Sequence, residues 1–482
     1  MFIRQSRTRR TSNGKIYTKY VLVESVRTEK GPRQRTIMHL GSFDLPKERW
    51  KELAGCLERK LSGQSTFQEE APDIEHIATQ IMEQYGRFER RREEKRARQE
   101  QQEIVGVDTQ SIVTTRTRSL GGEIVAHRAW KALGLDRILK EAQMSARECA
   151  LAEASVVCRL LEPGSEIDTW EWLTQRTALN ELLDVNLEKI EKDGLYAIGD
   201  VLYGHKAYIE KALYEEEHRQ YARGPMVYLY DLTNTFLEGE KKRNGLAARG
   251  RSKEKRSDCP LIALALVVDQ RGFPVYSQIY PGNQSEPITL QAVLTRLEES
   301  LPPLLKQEKP MLVMDTGIAT EENLRLMEEK GYAYTVIERR EQRFLEALRT
   351  DLSAQEIWKL YMTIQRVESA FRCLKSELGL RPIYHQKTER TQAHLFISIL
   401  AYHLLNWIEQ QLKEAGDHRR WSTIRKTLSS HQQCTVVFRD EGDKVYHLRV
   451  FGKPESPHED IYKKLGVPML KNRQLTYVAR RL

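Results

Sequence analysis

Three carboxylates in this 482-residue chain have the setting that metal-dependent chemistry requires. Asp231 follows the apolar run MVYLY, and Asp315 follows MLVM. Each is the first charge after a stretch with no polar side chain to pair with. A lone buried carboxylate is costly, so it must reach solvent at the strand end or find a cation. If the two strands are neighbours, ~4.8 Å apart, the carboxylates suit a pair of divalent ions held ~3.5–4 Å apart. Taken singly, either aspartate reads as readily as a turn former.

The third carboxylate is Glu368, inside YMTIQRVESAFRCLKSEL. Ser353 with Glu356 makes a capping box ahead of this stretch, and Gly379 followed by Pro382 ends it. At ~100° per residue, Val367, Phe371, Leu374 and Leu378 form one apolar stripe. Tyr361, Glu368, Arg372 and Lys375 fall on one flank of that stripe, held in line by seven-residue spacings. Glu368 therefore points along the edge of the packed face, where strand-end aspartates can meet it. On its own, a glutamate among Arg and Lys at helical spacing is an ordinary surface ion-pair residue.

The elements that must position these groups are legible in order. MVYLYD, LIALALVVD and FPVYSQIY read as consecutive strands. PITLQAVLTRLEESL is helical, MLVMDTG a buried strand, TEENLRLMEEKG a helix and YAYTVIE a strand. The Glu368 helix follows, then an apolar helix over about 391–412. Three strands followed by alternation with helices is the order of an RNase H-like domain.

Upstream, residues 14–40 read as two strands around TEKGPR, with a helix over about 46–61. The run GRFERRREEKRARQEQQ reads as a solvated helix or linker. Residues 120–222 read as mostly helical. The formal net charge is +9, and residues 1–40 alone carry +8. That concentration suggests an end of the chain used for phosphate contacts. A second basic segment joins the first two strands of the core (Lys241, Lys242, Arg243, Arg249, Arg251, Lys253, Lys255, Arg256); a solvated loop is the plain alternative. The first ten residues lack the apolar core of a signal peptide, and no apolar run approaches the ~20 residues that span a bilayer. Six scattered cysteines without a Cys-x-x-Cys pair give neither a zinc site nor a disulfide framework. His385 and His394 read as hydrogen-bonded structural residues rather than ligands.

Several of these segments together resemble the DDE-type insertion-sequence transposases with a Tyr–Arg–Glu–Lys signature. Tyr361, Glu368 and Lys375 match that signature. YDLTNTFLEG resembles the motif of the first aspartate and MDTGIATEENL that of the second. RGRSKEKRSD, YPGNQSE, LRPIYHQKTERTQAHLFISILAYHLL and LEPGSEIDTWEWL are also similar to family segments. The signature's Arg position is Ile364 here; Arg372 lies on the same flank as Glu368 and is the substitute. The interval between Asp315 and Glu368 lacks the β-rich insertion that many relatives carry.

The resemblance implies DNA strand cleavage and strand transfer at the ends of an insertion sequence. It makes Asp231, Asp315 and Glu368 the catalytic ligands of two Mg²⁺ (or Mn²⁺) ions that serve an in-line displacement. It places Tyr361 and Lys375 on the DNA backbone; helix phase adds Arg372, and the basic segments add Lys253, Arg256, Arg9 and Arg10 as further DNA contacts. It also implies a homodimer on double-stranded DNA, holding transposon ends and target, in the cytoplasm at the nucleoid and without a membrane. The expected organisation is a basic N-terminal α+β domain for end recognition (1–65), a charged helical linker (66–103) and a helical region (104–222). An α/β RNase H-like catalytic core with a mixed five-stranded sheet (223–415) and a C-terminal region (416–482) follow. The alternatives are an internally deleted remnant that only binds DNA, or a host nuclease or resolvase on the same fold.

Overall fold

A computed structural model describes residues 1–9, 16–28, 31–41, 43, 45–62, 71–83, 85, 106–183, 185–187, 189–221, 227–250, 258–300, 309–337, 344–345, 368–440, 442–468 and 475–479. The chain forms two compact units, Met1–Gly106 and Val107–Leu482.

The first unit is a three-stranded antiparallel sheet of β1 (Phe2–Arg9), β2 (Ile16–Thr28) and β3 (Gly31–Gly41), with helices α1 (Trp50–Ser62) and α2 (72–83). Strands β2 and β3 are the expected pair; β1 joins them, so the basic N-terminal residues are a strand and not a free arm. Leu22, Met38 and Leu40 pack with Leu53 and Leu57 of α1 and Ile74 and Ala78 of α2. The rings of Tyr20, Phe43 and Trp50 close this core, and the Trp50 Nε1 donates to the Leu45 carbonyl.

The second unit opens with strand β4 (Val107–Ser119), where the sequence had read as helical. Helices α3 (Gly121–Ala132), α4 (Leu135–Glu141), α5 (Ala146–Leu161), α6 (Glu166–Glu171), α7 (Lys192–Gly204) and α8 (Lys206–Tyr221) follow. Capping boxes start α5 (Ser145, Glu148) and α6 (Ser165, Asp168).

Next come β5 (Val227–Phe236), β6 (Leu261–Asp269), β7 (Pro274–Pro281), α9 (Thr289–Ser300), β8 (Met311–Asp315), α10 (Glu321–Glu329), β9 (Tyr334–Ile337) and the short edge strand β10 (Phe344–Leu345). Helices α11 (368–376), α12 (Thr388–Glu414) and α13 (Trp421–Leu428) continue the chain. It closes with β11 (Gln432–Asp440), β12 (Val445–Phe451), α14 (Ser456–Lys464) and β13 (Leu475–Ala479).

The central sheet has the order β10-β9-β8-β5-β6-β7. Strands β5, β6 and β7 are antiparallel neighbours, whereas β8 and β9 run parallel to β5. This five-strand order with its small added edge is the expected RNase H-like core. Its two faces are both buried, as continuous apolar strands require. Leu229, Leu264, Leu266 and Val313 enter a core shared with α5, α7, α11 and α12. Tyr228, Tyr230, Leu312 and Met314 enter a second core with Leu290 and Leu294 of α9 and Met327 of α10. The C-terminal strands form a separate sheet, β13-β12-β11-β4, that takes in the first strand of the unit. Among the described residues no helix is long and apolar enough to cross a membrane; the apolar α12 is buried in the core instead.

Candidate active site

Asp231 is the fifth residue of β5, not its last: the strand runs on through Leu232–Phe236, paired with Ala265–Leu261 of β6. In the fold Thr233 and Thr235 are buried between β6 and the helical layer. Asp231 is itself 7% exposed, and its Oδ1 accepts from the Leu232 N–H (2.8 Å). Asp315 does end its strand, as expected, and stands half-buried. Its Oδ1 accepts from Thr316 Oγ1 at 3.1 Å.

The parallel register brings the two together. Tyr228, Leu229 and Tyr230 pair with Leu312, Val313 and Met314, so the next step sets Asp231 abreast of Asp315. Side chains alternate along a strand. Asp231 therefore shares its face with Leu229, and Asp315 shares its face with Val313. Both of those residues lie in the core that α11 and α12 cover.

Helix α11 packs on this same face. Ala370, Phe371, Leu374 and Leu378 are buried there, which is the apolar stripe read from the sequence; Val367 lies outside the described residues. Glu368, the first described residue of the helix, is exposed, as is Arg372, and Lys375 is half-buried beside them. Tyr361, Ile364, Ser353 and Glu356 lie outside the described residues. The far end of the helix is fixed. Gly379 adopts φ +57°, and the Leu380 N–H donates to the Leu374 carbonyl (2.9 Å), a left-handed stop of the expected kind. Beyond it, the Ile383 N–H donates to the Phe236 carbonyl (3.2 Å) and the Glu238 N–H to the Ile383 carbonyl (3.0 Å). The chain leaving α11 is thus tied to the end of the strand that carries Asp231.

A buried cluster that sequence reasoning did not assemble clamps the same place. Arg159, on α5, donates to the Gly379 carbonyl (3.3 Å) and meets His394 Nδ1 on α12 (3.2 Å). Glu166, at the start of α6, pairs with His385 Nε2 (3.2 Å). Pro163 packs so closely on Gly379 that a Cβ there would lie 2.8 Å from the proline Cβ. Only the turn was legible, in LEPGSEIDTWEWL, where Pro, Gly and a Ser-x-x-Asp cap mark a sharp entry into a helix. Glu166, His385 and His394 bring ligand-type atoms within 4.8 Å of one another. The Arg159 guanidinium already supplies the cation, however, and burial beside it pushes the His394 pKa well down. His394 thus faces Arg159 and His385 faces Glu166.

The basic loop between β5 and β6 is partly built into the core. Lys241 is buried, with Nζ donating to the Tyr384 carbonyl (2.6 Å), so it is an anchor and not a surface contact. Asn244 Nδ2 donates to Thr391 Oγ1 (2.8 Å), and the Gly245 N–H donates to Thr388 Oγ1 (2.9 Å), which fastens the loop to the start of α12. The loop then crosses Gly282, where a Cβ would come within 2.1 Å of the Leu261 carbonyl oxygen. Lys242, Arg243 and Arg249 are exposed. Arg251, Lys253, Lys255 and Arg256 lie outside the described residues. In the first unit, Arg9 ends β1 opposite Ile16, and Arg10 lies outside the described residues.

Two family models match the chain. The transposase DDE domain matches residues 223–404, and the N-terminal domain of the IS1634 family transposases matches residues 5–73. Together they span about half of the chain. No curated protein matches it. Among solved structures, a piggyBac transposase synaptic complex with hairpin DNA is similar at 10% identity and a TM-score of 0.33. That likeness covers 58% of this chain and 69% of that one. The family matches favour neither the DNA-binding remnant nor the host nuclease. The chain belongs to the DDE transposases of insertion sequences, enzymes that cleave DNA and transfer its strands and that generally use divalent metal ions.

Proposed function

We propose that Asp231, Asp315 and Glu368 are the catalytic carboxylates of this transposase and hold two Mg²⁺ or Mn²⁺ ions. The observation that carries the reading is the parallel register of β5 and β8, which sets the two aspartates abreast on the face that α11 covers. Reach supports the third member. From Ser376 back to Glu368 the helix rises ~12 Å, and the turn through Leu378 adds to this. From Phe236 back to Asp231 a strand covers ~16 Å. Because the segment after α11 is bonded to Phe236, a helix running back along β5 returns Glu368 to the level of Asp231.

The donor set fits hard cations: three carboxylates, with no thiol or imidazole among them. When bound, the ions would activate the attacking oxygen and stabilise the leaving oxygen of an in-line displacement at phosphorus. The chain's own part is placement. The β5–β8 pairing holds two carboxylates side by side, and the Leu232 N–H fixes one oxygen of Asp231. Arg372 and Lys375, with Tyr361 one seven-residue step before Glu368, hold the phosphates next to the reacting one. Lys253 and Arg256 contact DNA from the β5–β6 loop, and Arg9 and Arg10 do so from the N-terminal unit.

The same reading assigns residues 1–65 to end recognition, 66–103 to a linker and 104–222 to a helical support. Residues 223–415 are the catalytic domain, and 416–482 a C-terminal region. The working form is a homodimer on double-stranded DNA that holds two ends and the target, in the cytoplasm at the nucleoid and not at a membrane.

The test is nicking of cognate element ends by purified protein with Mg²⁺ or Mn²⁺. Asp231→Ala, Asp315→Ala and Glu368→Gln should each abolish the metal-dependent product while DNA binding persists. Cleavage surviving in any one of them removes that residue from the site.

A further inference from the structure

A polar cleft of about 800 Å³ opens where α3, the end of α8, the β6–β7 turn and the end of α12 meet. Three arginines line it (Arg128, Arg219 and Arg271) against one carboxylate, Glu414. Two of the three are mounted on aromatic rings. The Arg128 guanidinium lies 5.5 Å from the centre of the Trp407 ring, and its Nε donates to the Gly466 carbonyl (3.2 Å). The Arg271 guanidinium lies 4.8 Å from the centre of the Tyr221 ring. Its own backbone carbonyl accepts from Gln410 (2.9 Å) and Asn406 (3.3 Å), so the turn cannot swing away. Arg219 is largely exposed and pairs with Glu216 at 3.0 Å.

We infer that this cleft binds the phosphodiester backbone of DNA, at a site separate from the carboxylates. Converging guanidinium groups repel one another, and an anion among them offsets that cost. The long Arg271–Glu414 contact (3.5 Å) joins half-exposed groups, and such pairs contribute only ~0–1 kcal/mol. A guanidinium held over a ring is restrained and keeps N–H donors for a ligand, and phosphate oxygens accept from such donors. The amide donors of the lining are engaged within the protein, which leaves the arginines to meet the ligand. Gln220 Nε2 donates to the Ala132 carbonyl (2.8 Å), and Gln411 Nε2 donates to the Tyr221 hydroxyl (3.1 Å).

Its place in the fold suits a substrate that also reaches the carboxylates. Asp269, two residues before Arg271, pairs with Tyr228 on β5, three residues from Asp231. Strand and turn together separate the two places by about 15 Å, or roughly four to five base steps. This spacing rests on the active-site assignment; the binding itself does not.

The experiment is equilibrium binding of a labelled duplex to the full chain in metal-free buffer between about 50 and 200 mM salt. Arg128→Ala/Arg271→Ala should weaken binding about tenfold or more and reduce the salt slope by about two, and Arg219→Ala should reduce it by about one. Arg128→Lys/Arg271→Lys, which keeps the charge, should retain most of the slope. Glu414→Gln should tighten binding, an effect that a purely structural role does not produce. The readout is binding without metal or cleavage, so it stands apart from the catalytic assignment. Unchanged affinity and slope in Arg219→Ala and in the double alanine variant, at wild-type melting temperature, would overturn the inference. If the double variant melts early, Arg219→Ala and Glu414→Gln decide by themselves.

Discussion

Neutralising Asp231 should stabilise this protein when metal is absent, and the gain should depend on Asp315. Strands β5 and β8 pair in parallel, and the two carboxylates stand on neighbouring chains ~4.8 Å apart. At ~5 Å and an effective dielectric near 20, two negative charges repel by ~3 kcal/mol. Asp315 is half-exposed at its strand end, so solvent screens part of this and ~1–2 kcal/mol remains. Asn at 231 keeps the oxygen that accepts from the Leu232 N–H and removes the charge. Asp231→Asn and Asp315→Asn should therefore each raise the unfolding free energy of the second unit by ~1–2 kcal/mol. The double variant should gain no more than one of them, because either change removes the same repulsion. Added Mn²⁺ reverses the order: at a hundredfold excess over its dissociation constant the parent gains ~2.7 kcal/mol, and the variants do not. Urea unfolding with and without MnCl₂ on the four proteins of the cycle measures both effects. Losses in both single variants that add in the double, or equal Mn²⁺ stabilisation of all four, would refute the argument.

Two further substitutions probe the scaffold. Gly379→Ala forces a side chain onto a backbone at φ +57° and a Cβ to 2.8 Å from Pro163. It should cost about 2–3 kcal/mol in denaturant unfolding and lower the rate of metal-dependent nicking, because the end of α11 must shift. Asp417 is held well below the usual carboxylate range, first by its hydrogen bonds from Arg419 and then by Lys464. A depressed carboxylate lends stability above its unfolded pKa and loses it as pH falls, so thermal melts should decline below about pH 4. In Asp417→Asn that acid limb should be flatter and the neutral melting temperature lower.

The order of the catalytic core was legible because its strands are apolar on both faces and bounded by turn residues. The phase of α11 was legible because Phe371, Leu374 and Leu378 recur at helical spacing and are buried together. The end of β5 was misjudged for a physical reason. Thr233 and Thr235 look like solvent-facing residues, yet the strand they belong to is central and covered on both sides. Lys241 was taken with its basic neighbours, and nothing local distinguishes a lysine whose ammonium reaches a backbone carbonyl 143 residues away. Strand β4 carried a usable signal, the Thr- and Val-rich VDTQSIVTTRTRS, but its partners lie far along the chain. The hairpin of β11 and β12 was also readable, since EGDK separates two runs rich in branched and aromatic residues. The cluster of Arg159, Glu166, His385 and His394 was not readable, because its members come from three helices and a loop that only the packing of the core brings together.

The pairing of β4 with β11 also bears on how this chain is made. Thr115 and the Thr435 carbonyl it bonds are 320 residues apart, so apart from the bridge of Ser119 to Thr177 the first strand of the second unit lacks its sheet neighbour until nearly the whole unit has been synthesised. At roughly 5–20 residues per second, that wait lasts about 15–60 s. During it the basic first unit, whose contacts are complete by Gly106, can already be folded outside the ribosome. The growing polypeptide thus presents its positively charged module early and the C-terminal sheet of the second unit late, an order in time set by which strand closes which sheet.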